Sequence, residues 1–210
     1  DLRAELEHTY IVGAKDPLTG TVAPLHWIAA DRTGACAVLE QTERGVELYG
    51  NPIGVLANSP DLRWQMTNLR NHLEVSPRQT EEALWGGVLL TPFGQGGGTA
   101  ALPGGFSSPE RFVRASYLKT HLPAPPGPGA AVSSFFQIMK SVSIPRGAVM
   151  TARGTDDFTQ YTALMNLHTG EYFFSTDENP QITRAAFPPR APDAPTDLGA
   201  LRRPLTFPEL

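Results

Sequence analysis

The chain has one cysteine in 210 residues, so no disulfide can form within it. A single thiol suits a reducing compartment, and a cytoplasmic location is the expectation. No apolar run approaches the ~18 residues that a spanning helix needs, so neither a transmembrane segment nor a membrane partner is expected. Neither sign of charge dominates. Seventeen basic against 21 acidic side chains leave −4, too mild a field to expect nucleic acid as a partner. Histidine is sparse: His8, His26, His72, His121 and His168 form no i, i+4 pair, so no metal site and no cofactor are expected. A Gly-x-Ser-x-Gly elbow is also missing, which disfavours a serine α/β-hydrolase. Gly94-Gln95-Gly96-Gly97-Gly98-Thr99 has neither the lysine nor the following helix of a phosphate loop.

Glycine and proline are plentiful, at 20 residues each, which implies many turns but stays below the level of a disordered chain. Apolar runs bounded by turn residues predict strands over 22–30, 35–40, 44–49 and 53–57, an antiparallel meander whose clearest turn is Asp31–Gly34. Helices are expected over about 60–73, 108–121 and 131–142, after the end of another at 2–9. Strands are expected again over 148–152, 158–166 and 171–176, the last two joined across His168-Thr169-Gly170. This mixture implies a layered α+β fold. Residues 74–106 carry no element long enough to pack on itself, yet hold Leu84, Trp85, Val88, Leu89, Leu90 and Phe93. A loop this long is usually functional or intermolecular. From Phe187 onward, six prolines in 24 residues predict an extended tail. Cys36 lies in an apolar strand and is expected to be buried and inert. His26 reads as a core histidine, and Trp64, Leu69 and Leu73 as the core stripe of their helix.

Two positions invite chemistry. Residues 102–114 place Arg111 in the first turn of a helix, with Ser108 as N-cap and Pro109 as the first helical residue. A cation is mildly unfavourable there, so Arg111 needs a compensating group: an anionic partner, a reaction centre, or merely a neighbouring carboxylate. The run 53–60 repeats the device with Ser59 as cap and Pro60 first, leaving Asn58 at a strand-to-helix junction. Its amide can donate and accept at once, which suits an oxyanion. A plain turn-forming asparagine remains the alternative.

Taken together, several blocks resemble the choloylglycine hydrolase family of bile salt hydrolases and penicillin V acylases. They are Leu25-His26-Trp27-Ile28 with Ala30-Asp31-Arg32-Thr33-Gly34, then Tyr49-Gly50-Asn51-Pro52 and Val55-Leu56-Ala57-Asn58-Ser59-Pro60. Phe93-Gly94-Gln95-Gly96, Leu102-Pro103-Gly104, Arg111-Phe112-Val113-Arg114 and Thr159-Gln160-Tyr161-Thr162 follow in family order. Ala57, Gly105 and Glu110 depart from the pattern, where Thr, Asp and Ser are usual.

The resemblance implies the four-layer αββα sandwich of N-terminal nucleophile hydrolases, with residues 1–210 as the C-terminal part of one such domain. It implies hydrolysis of a small N-acyl amide through a cysteine acyl-enzyme whose nucleophile lies outside this chain, so that this segment alone is inactive. Asn58 and Arg111 then fall at the family's active-site asparagine and arginine. A homotetramer held through about residues 74–106 is implied as well. The rival expectation is a non-catalytic truncated paralogue or oligomerising scaffold.

Overall fold

The computed structural model describes residues 2–17, 20–186 and 203–209. Their contacts divide into two compact units, Asp1–His121 and Leu122–Leu210.

The first unit opens on a short helix, α1 (Leu2–Leu6), and then builds an antiparallel meander in the order β1-β2-β3. Its strands are β1 (His26–Ala30), β2 (Cys36–Thr42) and β3 (Gly45–Gly50). The turn between β1 and β2 is held by the Asp31 carboxylate, which accepts from the Thr33 hydroxyl and backbone N–H. The first strand begins four residues later than the sequence suggests. The expected fourth strand over 53–57 does not form, because Asn51 turns the chain back on itself: its amide donates to the Val55 carbonyl and accepts from the Gly54 N–H. Val55, Leu56 and Ala57 instead pack on the core of Val38, Leu62 and Phe112. Their apolar character records burial, not strand pairing.

After this loop come α2 (Leu62–Asn68) and a tighter 3-10 turn, Leu69–His72. The helix starts later than expected, and its cap is Asp61, not Ser59: the Asp61 side chain accepts from the Trp64 N–H. The buried face also differs from the expected stripe. Leu62 and Gln65 are buried, with Met66 and Leu69 packed alongside, whereas Trp64 and Leu73 are exposed.

Within 74–106 the structure contains a hairpin that propensity alone does not show: β4 (Ala83–Trp85) and β5 (Val88–Leu90). Its two-residue turn is Gly86-Gly87, both at positive φ, as a primed hairpin turn requires. The hairpin does not fold back over the sheet: Trp85 is 72% exposed and Phe93 fully so.

The unit ends in α3 (Ser108–His121). Its cap is Ser107, so Ser108 and Pro109 are the first two helical residues. The Glu110 carboxylate accepts from the Ser107 N–H (3.2 Å) and hydroxyl (2.6 Å), the carboxylate half of a capping box. Phe112, Val113, Ala115 and Ser116 face inward.

The second unit packs α4 (Pro128–Val142), which starts three residues early on Pro128, with an antiparallel sheet in the order β6-β7-β8. These strands are β6 (Tyr161–Asn166), β7 (Glu171–Thr176) and β8 (Thr183–Ala186). The turn between β6 and β7 falls at His168–Gly170 as expected. The strand expected over 148–152 is reduced to a single bridge between Met150 and Asp156. Phe136, Ile144 and Phe174 are buried in this unit. Residues 187–202 of the proline-rich tail lie outside the described residues, and 203–209 contain no helix or strand. Among the described residues, no helix is long and apolar enough to cross a membrane.

Candidate active site

Asn58 and Arg111 lie 53 positions apart in sequence and meet directly. An Arg111 guanidinium N–H donates to the Asn58 side-chain carbonyl at 2.8 Å, and Arg111 Nε donates to the Phe106 backbone carbonyl at 3.1 Å. The group that compensates Arg111 is thus a pair of neutral carbonyl oxygens. This bond also orients the Asn58 amide. With Oδ1 accepting from Arg111, Nδ2 becomes the outward donor. Asn58 sits in a loop, not at the end of a strand, and its side chain is exposed.

The loop is pinned through its main chain. The Asn58 carbonyl accepts from the Ser108 hydroxyl at 2.6 Å and from the Gln65 amide at 3.3 Å. Ser108 therefore reaches across to the Asn58 loop, while Ser107 precedes the first helical residue. Gln65 is 1% exposed and also reaches Ser108 Oγ.

The first turns of α3 hold the loop before it. Arg114 is 7% exposed, and its guanidinium donates to the carbonyls of Pro103 and Gly105. Burial pushes its pKa down, partly offset by the Glu110 charge. Glu110 accepts from the Gly105 N–H, and its carboxylate occupies the space where a Cβ of residue 105 would stand. The two departures at 105 and 110 are therefore in contact: a Cβ at 105 would displace the Glu110 carboxylate from this position.

Bonds to the Ser107 hydroxyl, then to the Ser107 and Gly105 N–H groups, hold the Glu110 carboxyl below its ordinary value against the opposing effect of burial. A depressed carboxyl stabilises the fold above its unfolded pKa, and that contribution is lost as pH falls through the folded value. Glu110→Gln is accordingly expected to lower stability at pH 7, with the deficit shrinking below about pH 4.5. Urea unfolding of both forms across pH 3 to 7 measures this. A deficit constant across that range would remove the charge from the account.

Beside the Asn58 loop lies a cavity of ≈1070 Å³, whose wall includes Ile11, Val22, Leu25, Trp27, His26 and Ser59. Asn58 and Arg111 stand outside this wall. The sequence reading missed a chain of polar contacts here. His26 Nδ1 lies 2.6 Å from Glu40 Oε1, and His26 Nε2 lies 3.4 Å from Ser59 Oγ. His26 is no plain core histidine. The signal available in the sequence was Glu40 itself, a charge at the core-facing position two residues after Val38.

Cys36 is half-buried, less enclosed than expected. Burial still pushes its thiol up, although Lys119 pulls the other way through space, a neighbour that sequence adjacency could not reveal.

Comparison with known proteins gives the family. Residues 1–189 match the family described as linear amide C–N hydrolases, choloylglycine hydrolase family. A conjugated bile acid hydrolase of Lactobacillus gasseri is 36% identical over 173 residues, which cover 82% of this chain and 55% of that protein. The chain thus spans about half the length of the curated relatives it matches. A crystal structure of a variant of conjugated bile acid hydrolase from Clostridium perfringens superposes with a TM-score of 0.77 at 32% identity, covering 88% of this chain and 56% of the other. Penicillin V acylase from Agrobacterium tumefaciens shares the fold with a TM-score of 0.64 at 20% identity, over 88% of this chain and 50% of the other. With a family match over nearly its whole described length, this chain belongs to the choloylglycine hydrolase family of linear amide C–N hydrolases.

Proposed function

We propose that this chain supplies the Asn–Arg half of an amide-hydrolysing site, whose cysteine nucleophile comes from a segment outside residues 1–210. The observation that carries this reading is the 2.8 Å contact between Arg111 and Asn58 at an exposed, three-sidedly pinned loop. In the reaction, a thiolate adds to the amide carbon and the carbonyl electrons move to oxygen. Asn58 Nδ2 donates to that oxygen, and Arg111, always charged, favours the thiolate. The C–N bond then breaks, the amine leaves with a proton, and water cleaves the thioester.

The ≈1070 Å³ cavity beside Ser59 is large enough for an acyl group, with Ile11, Val22, Leu25 and Trp27 on its apolar side and Glu43, Arg44 and Asp61 on its polar side. Bile acid conjugates and phenoxyacetyl amides are both candidate substrates. The same reading makes residues 1–210 the C-terminal part of one αββα domain of the N-terminal nucleophile type.

The test is release of free amine from a steroid-acid glycine conjugate and from a phenoxyacetyl amide. The enzyme is the polypeptide with the nucleophile segment present, compared with residues 1–210 alone. Turnover only in the former supports the reading. Turnover by neither supports a non-catalytic scaffold.

The exposed hairpin supports a homotetramer. Leu84, Trp85, Val88 and Leu89 are each more than half exposed, an apolar patch that is costly to leave in water. Light scattering is expected to give a tetramer, and Trp85→Glu a smaller species. A monomer before substitution would dismiss this assembly.

A further inference from the structure

One buried charge is not used by the site as described. Glu40 is 1% exposed and shares the core-facing side of β2 with Val38. An apolar side chain would fill that position without the cost of desolvating a carboxylate. Glu40 is instead fully engaged. Both of its oxygens lie within reach of the Leu62 N–H, at 3.0 and 3.2 Å, and Oε1 also meets His26 Nδ1. Leu62 is the first residue of α2, and its N–H has no acceptor inside the helix. Its acceptor comes from a strand 22 residues earlier in the chain. His26, directly opposite Glu40 in the β1–β2 register, carries the link onward to Ser59.

We propose that Glu40 is a positioning residue for Asn58, fastening both ends of the 59–62 turn to the sheet through the Leu62 N–H and, by way of His26, through Ser59. Asn58 immediately precedes that turn. Its carbonyl is held from the other side by Ser108 and Gln65. Among the described residues, the Glu40 tether joins the turn to β2 and, through His26, to β1, beside an Arg44–Asp61 ion pair at 4.0 Å. Without the tether, the backbone that carries Asn58 shifts; the Arg111 bond fixes which amide atom faces outward but does not by itself fix where Nδ2 lies. Orientation of this kind governs rate more than binding, because a displacement near 1 Å at a reacting centre can cost about a hundredfold.

The inference deepens the amide-hydrolase reading, and its kinetic arm rests on that reading. Glu40→Gln, Asn58→Ala and the double variant are made in the polypeptide carrying the nucleophile segment. Glu40→Gln is expected to lower kcat by up to about a hundredfold with KM little changed, and to add no further loss on the Asn58→Ala background. An independent arm uses residues 1–210 alone. The Asn58 side-chain amide resonances are expected to shift in Glu40→Gln by NMR. If Glu40→Gln fails to fold, His26→Asn replaces it in both arms, since His26 is the outer link of the same tether.

An equal kcat loss in both backgrounds, a loss confined to KM, or unmoved Asn58 resonances would overturn the proposal. If Asn58→Ala itself is fully active, the hydrolase site is wrong and the NMR arm alone decides the role of Glu40.

Discussion

Asn58→Ala is expected to lower kcat by about a hundredfold or more in the active polypeptide, equivalent to losing one oxyanion donor, about 2.7–4 kcal/mol. The size follows from what the side chain does. Oδ1 is taken by Arg111 at 2.8 Å, which leaves Nδ2 as the donor for charge that develops on the substrate oxygen. Such a donor acts mainly in the transition state, so KM should move far less than kcat. Stability should change little. Asn58 is exposed, and its contacts with Ser108 and Gln65 run through the backbone carbonyl, which alanine retains. Steady-state kinetics alongside thermal unfolding separates the two effects. Unchanged kcat would return Asn58 to the role of a turn-forming residue.

Phe112→Ala is expected to destabilise the first unit by about 3–5 kcal/mol, as for other buried phenylalanines truncated to alanine. Phe112 is fully buried against Val38 and Leu62, with Val55, Leu56 and Met66 around them. These neighbours come from a strand, a loop and a helix, so the space left behind cannot collapse by moving one element. Phe112 also follows Arg111 directly, and loosening this turn of α3 should weaken the Asn58 contact as well. Urea denaturation of Phe112→Ala and the volume-sparing Phe112→Leu measures the difference, with leucine expected to cost less. A loss below about 1 kcal/mol for alanine would show that the core is not centred here.

The helix over 108–121 and the hairpin across His168-Thr169-Gly170 were legible because periodicity and turn residues act locally. Asn58 and Arg111 were legible as chemistry, through a resemblance and through the electrostatic oddity of a cation in a first helical turn. Local signals misled where a partner is remote. The apolar run 53–57 looked like a strand, but Asn51 coils it, and among the described residues no strand pairs with it. Ser59 and Ser108 were read as caps because serine so often is one. Asp61 and Ser107 hold those positions, and both serines reach across to other segments instead.

By itself, then, the sequence determined the antiparallel meander, the long helices, the family and the two residue types at the candidate site, all carried by short-range pattern. Only the tertiary structure decided that Asn58 and Arg111 touch, that Glu40 and His26 brace the turn beside them, and that Glu110 fills the space glycine leaves at 105. Each of these is a contact between segments distant in the chain or folded back on one another. Its geometry depends on how side chains pack in three dimensions, which no local periodicity encodes.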